Sequence, residues 1–290
     1  MANITAAMVK ELREKTGAGM MDCKKALGEV DGNIEEAVEF LRKKGLAAAA
    51  KKAGRVAAEG IVASCLKDNK GAIIEVNSET DFVAKNDDFK AFASELAELV
   101  VDAAPADLDA FMATKAANGQ TIEEYLNTMV AKIGEKLSIR RFVRLEGDVV
   151  SSYIHMGGKI GVVVQLEGGD AEVAKDVCLH IAASNPKYLD SSEVDPEFIE
   201  KEKSIFAAKL KEQGKPENII PKILEGQVSK LLKEVCLVSQ PFVKDPDVTI
   251  EKLLASKSAK IVTYTRYEMG EGLEKKEENF AEEVMAQIKK

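Results

Sequence analysis

Apolar residues at the start of the chain recur at helical spacing. Met8, Val9 and Leu12 form one face behind Thr5, a good N-cap, and Ile4 is placed to staple onto Val9. Thr16-Gly17-Ala18-Gly19 ends this helix, because glycine accepts the left-handed cap conformation. Met20, Cys23, Ala26, Leu27 and Val30 predict a second helix. After the turn Asp31-Gly32, Asn33 caps a third, with Glu36 three residues on as in a capping box and Ile34, Ala37, Val38 and Leu41 as its stripe. From Glu59 the period changes to two. Ile61–Leu66 and Ala72–Val76 predict strands joined by Asp68-Asn69-Lys70-Gly71. A helix with Phe89, Phe92, Ala93, Leu96, Leu99 and Val100 on one face follows and stops at Pro105. Another runs from Ile122 to Ile133 and ends at Gly134, and Ile139–Leu145 then reads as a strand.

The pattern then repeats. Glu59–Cys65 resembles Glu146–Tyr153, and Lys70–Val76 resembles Lys159–Leu166; each pair of strands precedes an Ala-rich helix that stops at a proline, Pro105 or Pro186. The offset of roughly 80–90 residues far exceeds a solenoid period, so the expectation is two related α+β subdomains with antiparallel sheets and helices on one side. An insertion interrupts the second. Pro196–Gln213 and a helix carrying Ile223, Leu224, Val228, Leu231, Leu232 and Val235 flank the turn Gly214-Lys215-Pro216, which predicts an antiparallel helical hairpin bounded by Pro186 and Pro241. Its stripes are expected to bury against each other, as an accessory to the core. Helix 249–255, strand Val262–Met269, turn Gly270-Glu271-Gly272 and helix Phe280–Ile288 close the chain. The three short N-terminal helices look like a ubiquitin-associated-type bundle, a docking module.

The 290 residues carry a net charge of −8, which argues against a general nucleic-acid binder. The charge is uneven: residues 1–55 hold 11 Lys/Arg against 8 Asp/Glu, the remainder 30 against 41. The basic run Arg42, Lys43, Lys44, Lys51, Lys52, Arg55 flanks Ala47–Ala50 and reads as a solvated helical linker. No apolar run is long enough to span a membrane and no leader pattern opens the chain, so cytoplasmic residence is the expectation. Cys23, Cys65, Cys178 and Cys236 are widely spaced, as buried thiols of a reducing compartment are.

Enzyme chemistry finds little support. There is no phosphate-binding P-loop motif, and Gly157-Gly158-Lys159 and Gly270-Glu271-Gly272 are too short to cradle a diphosphate. Cys178 and His180 are two apart, so on a helix they do not face one another as a nucleophile and its base must. The segment Asn77-Ser78-Glu79-Thr80-Asp81-Phe82-Val83-Ala84-Lys85-Asn86 is unusual. Thr80 is either an N-cap above a core Phe82, the reading that general burial tendencies favour, or the segment is a tip that pairs an apolar wedge with a carboxylate.

Five stretches carry a resemblance to a known family: Leu12–Leu27, Glu75–Asn77 with Glu79–Asn86, Ile139–Phe142, Gln240–Val243 and Arg266–Gly272. The chain resembles the elongation factor Ts family, exchange factors for the GTPase elongation factor Tu, with Ser78, Tyr267 and Met269 standing where Cys, Phe and Val are more usual. The resemblance implies an α+β fold divided at residues 1–55 (ubiquitin-associated-like docking domain with basic linker), 56–145 (core subdomain with a Mg²⁺-displacing loop), 146–275 (second core subdomain, hairpin at about 190–235) and 276–290 (C-terminal helical module). It implies a partner, elongation factor Tu, in GDP-bound and nucleotide-free forms. It implies no bond-making catalysis, cofactor, direct nucleotide binding, nucleic acid or membrane. A factor that binds the nucleotide-free GTPase more tightly weakens nucleotide binding by the same factor, and a thousandfold weakening needs about 4 kcal/mol of differential contact. By family match Thr80, Asp81, Phe82 and Val83 are the wedge. Arg13, Met20 and Met21 are the candidate docking contacts of the bundle. Two adjacent methionines at a helix start cannot both face so small a core, so at least one is exposed. A ubiquitin-associated-type adaptor, a basic-linker nucleic-acid binder and a thiol enzyme are the competing classes; the acidic remainder and the wedge segment weigh against the first two, and geometry against the third.

Overall fold

Side-chain caps set most helix starts in the computed structural model, which describes residues 4–274. In α1 (Ala6–Thr16) the Thr5 hydroxyl accepts from Met8 N, and Gly17 at φ +67° ends the helix. After α2 (Met20–Glu29), α3 (Ile34–Lys52) starts where Asn33 Oδ1 accepts from the backbone N–H of Glu35 and Glu36. Glu36 takes its bond from Asn33 Nδ2 at 2.8 Å, so this is a side-chain variant of the expected capping box. Leu12, Cys23, Ala26, Leu27 and Ala37 are fully buried between the three helices. Met20, at the same helical spacing as that apolar face but also a candidate docking contact, points outward.

β1 (Glu59–Lys67) and β2 (Lys70–Ser78) pair antiparallel across Asp68-Asn69, with Asp68 at φ +53°. The helices α4 (Asp81–Lys85), α5 (Asp87–Ala103), α6 (Leu108–Ala113) and α7 (Ile122–Ile133) follow, and β3 (Ser138–Glu146) returns beside β2. The expected end at Gly134 holds, and Thr121 with Glu124 forms a full capping box on α7. β4 (Val149–His155), β5 (Ile160–Glu167) and α8 (Ala171–Ser184) precede the hairpin of α9 (Pro196–Glu212) and α10 (Ile220–Val235). A short ribbon of β6 (Pro241–Phe242) and β7 (Asp245–Thr249), then α11 (Ile250–Ser256), lead to β8 (Lys260–Glu268), which pairs with β5. The terminal helix expected at Phe280–Ile288 lies outside the described residues.

Among the described residues the fold is α+β, with two three-stranded antiparallel sheets, β1-β2-β3 and β4-β5-β8. Each has its second strand in the centre, and each has a bulge where the central strand meets the last-arriving one, at Glu75/Val76 and at Gln165/Leu166. Val62 and Ile73 of the first sheet meet Val150 and Val163 of the second, and Met269 just past the end of β8. On its other face the first sheet buries Ile74 and Val76 under Phe89, Phe92 and Leu96 of α5, each worth about 1.5–3 kcal/mol of burial. The second sheet buries Val162, Val164 and Leu166 under Val173, Val177 and Ile181 of α8. The hairpin is thin: only Leu210 and Ile220 of α9 and α10 are buried. The stripes expected to bury against each other are otherwise half-exposed.

The basic stretch is helical and its Arg42, Lys43, Lys44 and Lys51 side chains are exposed, as expected. What the charge run did not show is that the opposite face of the C-terminal half of α3 lies on α7. Gly45 is buried, Ala49 packs on the first core, and Arg42 Nη2 is 2.5 Å from Glu124 Oε1.

Candidate functional site

The segment after β2 is held from outside its own helix. α4 has five residues, too few to be stable alone. Thr80 caps it by accepting from Val83 N, and donates its own hydroxyl to Glu135 Oε1 at 2.7 Å. The other oxygen of Glu135 accepts from the backbone N–H of Glu79 (3.1 Å) and of Thr80 (3.0 Å). Glu79 in turn accepts from Lys136 N at 2.5 Å and from Arg55 Nη1 at 3.2 Å. Glu135 and Lys136 directly follow the Gly134 cap of α7, so one helix end fixes the loop. Val83 and Ala84 turn inward against the first core.

Phe82 does not turn inward. It is 80% exposed, so the core reading of this residue is overturned. Its spacing suits an apolar face, but a helix of five residues presents too little surface to bury both Val83 and Phe82. Beside it Asp81 Oδ2 accepts from Lys85 Nζ at 2.6 Å. That ammonium holds the Asp81 carboxyl below the usual carboxylate range, with Lys159 adding to the effect.

In the N-terminal bundle Met20 and Met21 are 60% and 75% exposed. With Arg13, Lys10, Lys24 and Ile4 they surround an open groove of about 380 Å³. Thus the structure brings Thr80 to Val83 together in one loop and Arg13, Met20 and Met21 together in another surface.

A network whose joint role the sequence did not show explains why remote family-like stretches matter together. Glu75 is fully buried. The bulge opposite it places two successive arginines on one side of β3, where regular alternation would part them. Arg140 Nη1 lies 3.0 Å from one Glu75 oxygen and Arg141 Nε 2.6 Å from the other. Gly270 N donates to the same carboxylate at 2.8 Å. Gly270 sits at φ +74°, and a Cβ there would come within 2.4 Å of Ala58 O. Arg141 also stacks its guanidinium 4.2 Å from the centre of the Tyr267 ring. A charged residue inside the apolar run Ala72–Val76 was the available signal for a buried ion pair.

Cys178 and His180 have separate roles. Cys178 Sγ donates to Ser151 O at 3.3 Å, and burial pushes its thiol up to about 12. His180 is buried between Gln240 Oε1 (2.9 Å) and Val243 N (3.2 Å), which tethers the Gln240–Val243 stretch to α8. Burial holds His180 below the usual histidine range. Among the described residues no group of three or more His, Cys, Asp or Glu is placed to hold a metal, and no helix is long and apolar enough to cross a membrane.

Two comparisons bear on what these surfaces do. The family model described as elongation factor TS matches residues 79–271, which include the Phe82 loop, Arg140-Arg141 and the Gly270 turn. A relative named elongation factor Ts, from Thioalkalivibrio sulfidiphilus (strain HL-EbGR7), is 55% identical over 291 residues, covering 99% of this chain and 99% of its own.

Proposed function

The chain belongs to the elongation factor Ts family and is a translation elongation factor, and we propose that it acts as the guanine-nucleotide exchange factor of elongation factor Tu. It binds the GDP-bound GTPase, displaces Mg²⁺, stabilises the nucleotide-free form and frees the site for GTP. It makes and breaks no covalent bond, needs no cofactor of its own and works in the cytoplasm. In this reading residues 1–55 are a ubiquitin-associated-like docking domain, 56–145 and 146–275 are related core subdomains, the second bearing the hairpin, and 276–290 are a C-terminal module.

The observation that carries the reading is Phe82, exposed on a loop whose backbone is fixed by Glu135. Leaving such a ring in water forgoes about 1.5–3 kcal/mol of burial, which contact with a partner recovers. Asp81, next to it, brings negative charge towards groups that hold Mg²⁺ and phosphate. Because Mg²⁺ demands near-ideal octahedral geometry, a small displacement of its ligands weakens it disproportionately. Met20, Met21 and Arg13 supply a second contact away from the metal.

The test is release of labelled GDP from elongation factor Tu. The wild-type chain accelerates release, and Phe82→Ala lowers that acceleration about 30-fold, the size of a hot-spot aromatic, at an unchanged melting temperature. Full activity in Phe82→Ala refutes the wedge role, and no acceleration by the wild type refutes the function.

A further inference from the structure

We propose that Gly45 is a positioning residue: it seats α3 on α7 so that the Met20–Met21 groove and the Phe82 loop stand at one fixed separation. The inference rests on the two-contact reading above. A glycine inside a helix costs about 1 kcal/mol relative to alanine, and α3 has one in its middle, at a buried position. A Cβ at Gly45 would lie 3.3 Å from Asn127 O and 3.5 Å from Asn127 C. Those atoms are backbone within α7 and cannot swing aside as a side-chain tip does. The absent side chain is what lets the two helices approach.

The same helix carries the other contact. α7 passes through Gly134 to Glu135 and Lys136, which hold Glu79 and Thr80. Lys136 Nζ also reaches back to Ala53 O and Arg55 O, both at 2.8 Å, just past the end of α3. Arg42 pairs with Glu124 on α7. Ala37, Val38 and Leu41 of α3 share the core of Leu12, Cys23 and Leu27, and Lys44 pairs with Asp22 of α2, so the bundle is built on α3. Where Thr16 and Ala18 of the bundle approach Gln120 and Thr128, a cavity of about 90 Å³ separates them. The seat is therefore α3 itself.

Rigid separation has a defined consequence. Once one contact forms, the other is an intramolecular event at high effective concentration, and that gain is lost when the two can wander. Gly45→Leu favours helix, so it does not melt α3, but it forces α3 off α7. In the full-length chain the concentration of exchange factor giving half-maximal GDP release rises about tenfold, while the rate at saturation stays within about twofold. A reading independent of the partner accompanies it. By nuclear-spin relaxation, amides of α1–α2 and of β1–β2 share one rotational correlation time in the wild type, and those of α1–α2 become faster in Gly45→Leu. If Gly45→Leu does not fold, Gly45→Ala is measured the same way, and its single added carbon raises the half-maximal concentration about two- to threefold. An unchanged half-maximal concentration, or a loss confined to the saturating rate, overturns the proposal. Independent tumbling already in the wild type overturns it too and leaves the exchange reading intact. A wild type that does not accelerate GDP release defeats the exchange reading, while the relaxation result still judges the seat.

Discussion

Phe82 and the Met20–Met21 pair both leave apolar side chains in water, but different backbone lies beneath them. Phe82 is a rigid ring on a five-residue helix clamped from outside by Glu135, Glu79 and Lys136. The methionines open a ten-residue helix whose N-cap, Gly19, offers no side-chain bond, and they border a groove lined by Arg13, Lys10 and Lys24. A ring with two torsions fits one site and has to be aimed by its scaffold. Thioether chains adapt to what they meet. Changes that tilt Phe82 should therefore reach function, whereas changes to the methionine side chains themselves should be largely absorbed, provided the bundle keeps its seat on α7.

The largest expected effect lies under the wedge, at Glu75. Removing one member of a buried ion-pair network costs about 3–5 kcal/mol, so Glu75→Ala is expected to destabilise the sheet that ends in the Phe82 loop. Acid performs a milder version. Burial alone would raise the Glu75 carboxyl, but bonds from Gly270 N, Arg141, Arg140 and Asn77 outweigh it and hold it below its ordinary value of 4.5. With the folded value depressed, the unfolded chain binds more protons in acid. The contribution is full above pH 4.5 and is lost as pH falls through the lower folded value. Hydrogen exchange on lowering the pH from 7 to about 3.5 should show β2, β3 and α4 losing protection before α1 and α2. Simultaneous loss would break the comparison.

How much of this was legible depended on the range of each signal. Thr5, Asn33, Thr80 and Thr121 cap the helices read from sequence, because a cap and its helix lie within three residues of each other. The strand pairs and Gly134 were readable for the same reason. α6, with six residues, and β6, with two, are too short to show a period and were not foreseen. Residue pattern alone leaned towards a core Phe82, because spacing does not report that α4 stops after five residues, and only the family likeness pointed to the wedge. Gly45 looked like part of a solvated run, since its reason for being glycine is the backbone of Asn127. The Glu75 network joins residues 195 apart, Glu75 and Gly270, so each piece was singled out by family likeness and none by its own pattern.

Next in size is the clamp. Glu135→Ala leaves the N–H groups of Glu79 and Thr80 without their acceptor and frees the Thr80 hydroxyl, a loss of about 1–3 kcal/mol that falls on the loop. Stimulated GDP release should slow about tenfold, with the global melting temperature down by only a few degrees. A larger loss of global stability with normal exchange would mean that the clamp serves the core and not the wedge. The groove should respond less. Met20→Ala combined with Met21→Ala is expected to raise the half-maximal concentration about threefold, with the saturating rate and melting temperature unchanged, since both side chains are exposed and adaptable. A drop in saturating rate would erase the distinction between anchor and adaptable contact.

The smallest effect belongs to Asp81, because Lys85 already occupies its carboxylate. Asp81→Asn keeps the shape and removes the charge, so it tests electrostatics alone. About a twofold slowing of GDP release is expected, in line with a charge that is exposed and screened. If the carboxylate acts by disturbing the groups around Mg²⁺, the deficit should shrink towards zero as Mg²⁺ is removed with a chelator, since no metal remains to be displaced. Lys85→Met should shift the rate the opposite way by freeing the carboxylate. Since Lys85 holds Asp81 below the ordinary carboxylate range, the difference between wild type and Asp81→Asn should persist unchanged from pH 8 down to about pH 5. A deficit that survives metal removal would assign Asp81 a role in orienting Phe82 instead.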